Sequence, residues 1–117
     1  MSLKYSLSPC DSFLNLILED LNSGRCLVVM TFSDRKLADC ALENANSFLN
    51  HFEFLEKGFS RCETSEGARV HLYYCFGFLS ALMNFLTFTS AERLFVESYF
   101  FNIYEKRIGE IKYEACE

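Results

Sequence analysis

The spacing of apolar residues predicts an amphipathic helix from about 34 to 56. Apolar side chains recur there every three or four positions, at Leu37, Ala41, Ala45, Phe48, Phe52 and Leu55. This spacing puts them on one stripe of a 3.6-residue helix, with the charged side chains opposite. Ser33 and Asp34 form a start signal, and Gly58 fits the end of the helix.

Two more helices are expected near the ends of the chain. The first, from about 9 to 22, begins at Ser8-Pro9 and ends at Asn22-Ser23-Gly24. The last begins at a Thr89-to-Glu92 capping box and ends near Ile108. The tail that follows is expected to be frayed or a short edge strand.

The segment from 70 to 91 contains no Asp, Glu, Lys or Arg in 22 residues. That length is sufficient to cross a membrane. His71 and Asn84 make the segment less apolar than inserting helices are, and its flanks show no positive-inside bias. We therefore expect no membrane contact and a central helix buried on all sides.

The sequence RCLVVMTF, residues 25 to 32, is rich in β-branched side chains and is bounded by turn residues. These features predict a buried strand. Alternating residues from 68 to 76 are the best partner within the chain, and a second chain is the other option. A polar loop from 59 to 68 would precede that partner.

These elements predict a mainly α fold, a compact bundle of about four helices around a buried apolar central helix. A short strand pair is an optional addition, and an α+β fold is the alternative. The 117 residues suit one domain, 1–117, and the chain has only five Gly and one Pro, too few chain breakers for an all-β sandwich.

The net charge and the cysteines indicate which partners and which cellular compartment to expect. The net charge of -5 and the lack of a basic cluster argue against nucleic-acid binding. Six cysteines occur without a C-x-x-C pair and without a preceding export signal. We expect reduced thiols and a cytoplasmic location.

Motifs for catalysis and cofactor binding are lacking, since no nucleophile elbow, phosphate loop or dinucleotide fingerprint occurs. His71 and Cys75 share a helical spacing but are only two ligands, too few for a structural zinc site. Cys10 would lie in the first turn of the first helix, where the helix dipole favours a thiolate. No catalytic motif surrounds it, so we expect no enzyme, cofactor or metal.

The remaining signals concern surfaces. A second apolar line on the last helix predicts an interface at Leu94, Phe101 and Ile108, which could also support a homodimer. Four acids near the polar loop are candidate partner-binding residues: Glu53, Glu56, Glu63 and Glu66. We expect a small acidic module that covers a partner protein with a basic surface. An inhibitor, an immunity protein, or a viral or phage factor acting on its host would fit this description.

The alternative function is a small-ligand-binding protein or an enzyme. Its aromatic pocket would lie between the last two helices, with tyrosine hydroxyls as the polar groups: Tyr73, Tyr74, Tyr99 and Tyr104.

Overall fold

A computed structural model describes residues 1–85 and 88–116, apart from the side chains of residues 85, 115 and 116. Three strands precede three helices: β1 (Leu3–Cys10), β2 (Phe13–Asp20), β3 (Cys26–Phe32), α1 (Arg35–Ser60), α2 (Ser65–Phe85) and α3 (Ser90–Cys116). The fold is thus α+β, the predicted alternative, and the expected bundle of about four helices is not observed. The chain forms two compact units, Met1–Glu53 and Phe54–Glu117.

The helix predicted from 9 to 22 is wrong, because these residues form a β-hairpin. β1 and β2 pair antiparallel from Leu3 opposite Asp20 to Cys10 opposite Phe13. The apolar residues of β2 fit the two-residue period of a strand as well as the period of a helix. Pairing of β2 with its neighbouring strands selects the strand. Pro9, read as a helix start, lies instead on an edge strand, where a missing amide hydrogen is tolerated.

Both hairpin turns are built by aspartates. Asp11 adopts a φ of 55°, the left-handed conformation that a two-residue hairpin turn needs at its first position. Asp20 is buried, and its carboxylate accepts bonds from the Asn22 amide at 3.0 Å and the Ser23 hydroxyl at 2.9 Å. Gly24 completes the second turn with a φ of 75°. The Asn-Ser-Gly signal therefore ends a strand and not a helix.

The strand predicted from 25 to 32 is confirmed as β3, but the prediction that it is buried is wrong, since every residue of β3 is exposed or half-buried. Its predicted partner is also wrong. β3 pairs antiparallel with β2, in the sheet order β1-β2-β3, while residues 68 to 76 lie within α2. Alternate side chains of β1 and β2 are buried on one face of the sheet: Leu3, Tyr5, Leu16 and Leu18. β3 is more exposed than its neighbours, since Val28 and Met30 face solvent.

The first long helix is confirmed, although it extends to Ser60, beyond Gly58. Its buried residues keep a helical spacing at Ala38, Ala45, Phe48, Phe52, Leu55 and Phe59. Leu37, expected in this stripe, is exposed, and Ala38 is buried in its place. On the exposed side, Arg35 and Asp39 form an ion pair at 3.1 Å, one turn apart.

The capping box at the start of α3 is confirmed. The Thr89 hydroxyl accepts a bond from the Glu92 amide at 3.2 Å, and the Glu92 carboxylate accepts one from the Thr89 amide at 3.0 Å. The predicted end before Gly109 is wrong, because α3 continues through this exposed residue. The tail is helical to Cys116, so neither a strand nor fraying is observed there.

Candidate functional site

The charge-free helix α2 is buried on one side only. Residues at helical spacing are buried, namely Ala68, Leu72, Cys75, Leu79 and Leu82. On the other side Val70 is 58%, Tyr73 64% and Tyr74 62% exposed. The expectation of a helix buried all round is therefore wrong. None of the helices in the described part of the chain has the length and hydropathy to cross a membrane.

The predicted line on α3 also faces outward over most of its length. Leu94 is 58% and Phe101 43% exposed, and Ile108 is half-buried. The Phe101 ring lies beside that of Tyr104, with ring centres 5.9 Å apart. The opposite side of α3 is buried at Phe95, Val96, Tyr99 and Phe100. The helix thus separates a core stripe from an apolar outer stripe.

Arg69 is an exposed cation on α2 that forms an ion pair with Glu66. Its guanidinium contacts both carboxylate oxygens of Glu66 at 2.8 Å. The pKa of Arg69 is raised, chiefly by this hydrogen bond and the charge of Glu66, and to a lesser extent by the phenols of Tyr73 and Tyr104. Both phenols therefore lie near Arg69. We refer to Tyr73, Phe101 and Tyr104 as the aromatic patch.

The four predicted partner-binding acids occupy different environments. Glu56 is partly buried and accepts a hydrogen bond from the Tyr99 hydroxyl at 2.5 Å. Glu53 is half-buried on α1. Glu63 and Glu66 are exposed where the chain enters α2, and Glu66 is paired with Arg69. Glu66 is therefore held by an ion pair on α2 and Glu63 is exposed in the α1–α2 connection, while Glu56 forms a contact between elements.

Sequence reasoning missed the role of Arg107. Its side chain is only 14% exposed, and its guanidinium donates two hydrogen bonds to the Cys62 carbonyl, at 3.0 and 2.7 Å. A third bond reaches Glu110 at 3.1 Å. Arg107 thereby anchors the short α1–α2 connection to α3. The only hint in the sequence was a cation spaced i,i+3 from Glu110, which does not identify a partner 45 positions away.

A cleft of about 290 Å³ opens between the end of α1 and α3. It is lined by charged and apolar residues: Glu56, Lys57, Phe59, Ser60, Ile103, Lys106, Arg107 and Glu110. Two of its charges, Glu56 and Arg107, are already engaged in contacts between elements. Of the tyrosines expected around a pocket between α2 and α3, Tyr99 is buried, and Tyr73 and Tyr74 are exposed.

His71 joins α2 to the end of α1. Its Nε2 lies 2.7 Å from the carbonyl oxygen of Leu55, so this nitrogen must carry the donated hydrogen. The ring packs edge-on against Phe59 at 4.6 Å. A Cβ placed on Gly58 would lie 2.3 Å from the ring, so glycine is needed for this approach. His71 is thus accounted for by packing and one hydrogen bond.

The thiols lie in environments that differ in reactivity. Cys10 is in β1 and exposed, so the predicted helix-dipole activation is wrong. Cys75 is fully buried, and burial raises the pKa of its thiol to about 12. No group of three or more metal-binding side chains occurs among residues 1–85 and 88–116 as described.

No protein-family model matches the chain, and comparisons with curated proteins and with solved structures give no match either.

Proposed function

We propose that the chain is a non-catalytic protein-binding module that covers a partner with the outer side of α2 and α3. The observation that carries this proposal is the aromatic patch. Tyr73 on α2 and Phe101 on α3 expose 64% and 43% of their surface, and the two helices pack against each other. Tyrosine, phenylalanine and arginine are the residue types enriched at the centres of protein interfaces, and Arg69 lies beside this patch.

The exposed rings of the patch would form the apolar centre of a larger interface and not the whole of it. An aromatic side chain buries roughly 150–250 Å² when fully covered. Covering the exposed half of one ring would therefore remove roughly 100 Å² from water, or about 2.5 kcal/mol at 25 cal/mol/Å². Tyr73 and Phe101 together would contribute about 5 kcal/mol before the costs of association are subtracted.

The acidic balance of the whole chain favours a partner with a basic surface. Glu63 and Glu66 are exposed near the start of α2, and the whole chain carries a net charge of -5. Carboxylates at the edge of an apolar interface accelerate association with a basic surface and disfavour acidic partners. Covering such a surface would block whatever else binds there, which is how an inhibitor or an immunity protein acts.

Small-ligand binding between α2 and α3 has less support. Such a site requires tyrosine hydroxyls that converge on one cavity. The Tyr99 hydroxyl is instead bonded to Glu56, whereas Tyr73 and Tyr74 project from the protein. We therefore favour protein binding and expect added small molecules to leave the unfolding temperature unchanged.

The test compares two matched substitutions of exposed phenylalanines. Phe101→Glu alters the patch, and Phe54→Glu alters a ring on α1 that is more exposed, at 68% against 43%. Each tagged variant is used to isolate bound proteins from cells that make the chain naturally, with unfolding curves as a control for folding. We expect one co-purifying protein to be lost with Phe101→Glu and retained with Phe54→Glu.

Three results would oppose the proposal. Equal recovery from both variants would place the binding surface elsewhere. Unfolding by Phe101→Glu would show that this ring belongs to the core. Binding of the wild type to lipid vesicles that depends on Phe101, without any protein partner, would indicate a membrane surface as the occupant.

A further inference from the structure

The outer edge of β3 differs from ordinary sheet edges. β3 is the last strand of the sheet and pairs only with β2 among the described residues. Its seven residues, CLVVMTF, carry no charge, and Val28 and Met30 are 54% and 44% exposed. An edge of this kind presents unpaired backbone groups that can accept another strand.

The opposite edge of the same sheet carries two features that discourage pairing. β1 contains Lys4, which is exposed, and Pro9, which lacks an amide hydrogen. Charged residues and proline are common means by which proteins protect an edge strand. β3 has neither, although a bulge at Val29 bends it. β3 therefore has one protecting feature, its bulge, whereas β1 has a charge and a proline, so β3 is the less protected edge.

We propose that β3 pairs antiparallel with β3 of a second copy of this chain, which joins two three-stranded sheets into one of six strands. A two-fold axis through Val29 would place Cys26 of one copy opposite Phe32 of the other. The uncharged strand avoids the like-charge repulsion that self-pairing often causes. Val29 has no partner on β2, so the axis passes through the bulge.

The residues that flank β3 favour a second copy as the occupant. An exposed cation, Arg25, precedes the strand, and an exposed carboxylate, Asp34, follows it. Antiparallel pairing about Val29 brings Arg25 of each copy next to the Ser33–Asp34 end of the other. Opposite charges therefore meet at both ends of the paired strands, as self-complementary two-fold interfaces require. This surface lies in the unit Met1–Glu53, and so the proposal is independent of the aromatic patch.

Sedimentation velocity of the full chain over a wide concentration range tests the proposal. We expect a reversible dimer whose dissociation constant rises at least about tenfold in Val28→Lys, because two like charges then lie in one interface. Ser6→Lys on β1 is the matched control and should leave dimerisation unchanged. Asp34→Asn keeps the helix-capping acceptor that bonds the Lys36 amide but removes the charge, so it should weaken the dimer without unfolding α1.

A second measurement keeps the test independent of folding defects. Val29→Cys, in a background with the exposed thiols Cys10, Cys26 and Cys40 replaced by serine, should form a covalent dimer on oxidation, whereas Ser6→Cys should not. A wild type that stays monomeric at every concentration would overturn the proposal. So would a dimer that survives Val28→Lys but is lost in Phe101→Glu, since that result would place the self-association on α3.

Discussion

Replacement of Gly58 by alanine tests how closely α2 approaches the end of α1. The added Cβ would lie 2.3 Å from Cε1 and 2.4 Å from Nε2 of His71, well inside van der Waals contact. The ring cannot move freely, because it bonds the Leu55 carbonyl on one side and packs edge-on against Phe59. The substitution must therefore displace the ring and break at least one of these contacts.

Two opposing contributions determine how far Gly58→Ala changes the free energy of unfolding. Loss of the hydrogen bond costs about 1 kcal/mol, and loss of the edge-on ring contact costs about 0.5–1.5 kcal/mol. Alanine regains at most about 1 kcal/mol of helix propensity relative to glycine. We expect Gly58→Ala to lower the free energy of unfolding by about 1 kcal/mol.

Urea unfolding followed by circular dichroism measures this change against a matched control. Gly109 is also helical and has no neighbouring atom within 4 Å of an added Cβ, so Gly109→Ala should stabilise the protein by up to about 1 kcal/mol. With His71→Ala as the background, Gly58→Ala should become stabilising as well. Equal stabilisation by Gly58→Ala and Gly109→Ala in the wild-type background would refute the close approach.

Tyr99, the exposed thiol of Cys40 and the buried thiol of Cys75 give three more predictions. Tyr99→Phe removes a hydrogen bond to the Glu56 carboxylate, so it should lower the free energy of unfolding in urea by about 1.5–3 kcal/mol. The control Tyr113→Phe alters a side chain that is 69% exposed and should change the free energy of unfolding by less than about 0.5 kcal/mol. In the folded protein, iodoacetamide should modify the exposed Cys40 and spare Cys75. The folded state holds the Cys75 proton more tightly than the unfolded chain, whose thiol pKa is near 9.0, so stability should fall as pH rises from about 9 towards 12. Cys75→Ala should flatten that part of the stability profile.

The helices that could be predicted were those whose apolar spacing permits only one period. α1 has buried residues at Ala45, Phe48, Phe52 and Leu55, and charged residues fill the other side, so no strand fits the same pattern. The capping box at Thr89 and Glu92 fixed the start of α3 because its two bonds are local. Local signals of this kind predict a helix without knowledge of the tertiary fold.

The N-terminal hairpin was not predictable by the same reasoning. Leu14, Leu16 and Leu18 alternate, but Phe13 and Ile17 also complete a helical stripe. The deciding interactions are the pairings of β2 with β1 and with β3. Pairing energy of this kind depends on partners distant in sequence, which local patterns do not contain.

The candidate surface was predicted in part. The outer line of α3 was anticipated at Leu94 and Phe101 because one core cannot cover two sides of a helix. The exposure of Tyr73 was not predicted, because the absence of charged residues from 70 to 91 favours burial of the whole segment. Exposure of an apolar helix face depends on how many neighbours the fold supplies, and residues 1–85 and 88–116 form one helix fewer than expected.

Site-specific photo-crosslinking in cells that make the chain naturally tests directly whether the aromatic patch binds a protein. A photoreactive phenylalanine analogue replaces Tyr73 in the aromatic patch or, as a control, the exposed Tyr113 outside it. If the patch binds a protein, we expect one protein adduct from position 73 and none from position 113. The adduct from position 73 should be lost when Phe101→Glu is added. Equal adducts from both positions, or none from position 73, would contradict the assignment of this surface to protein binding.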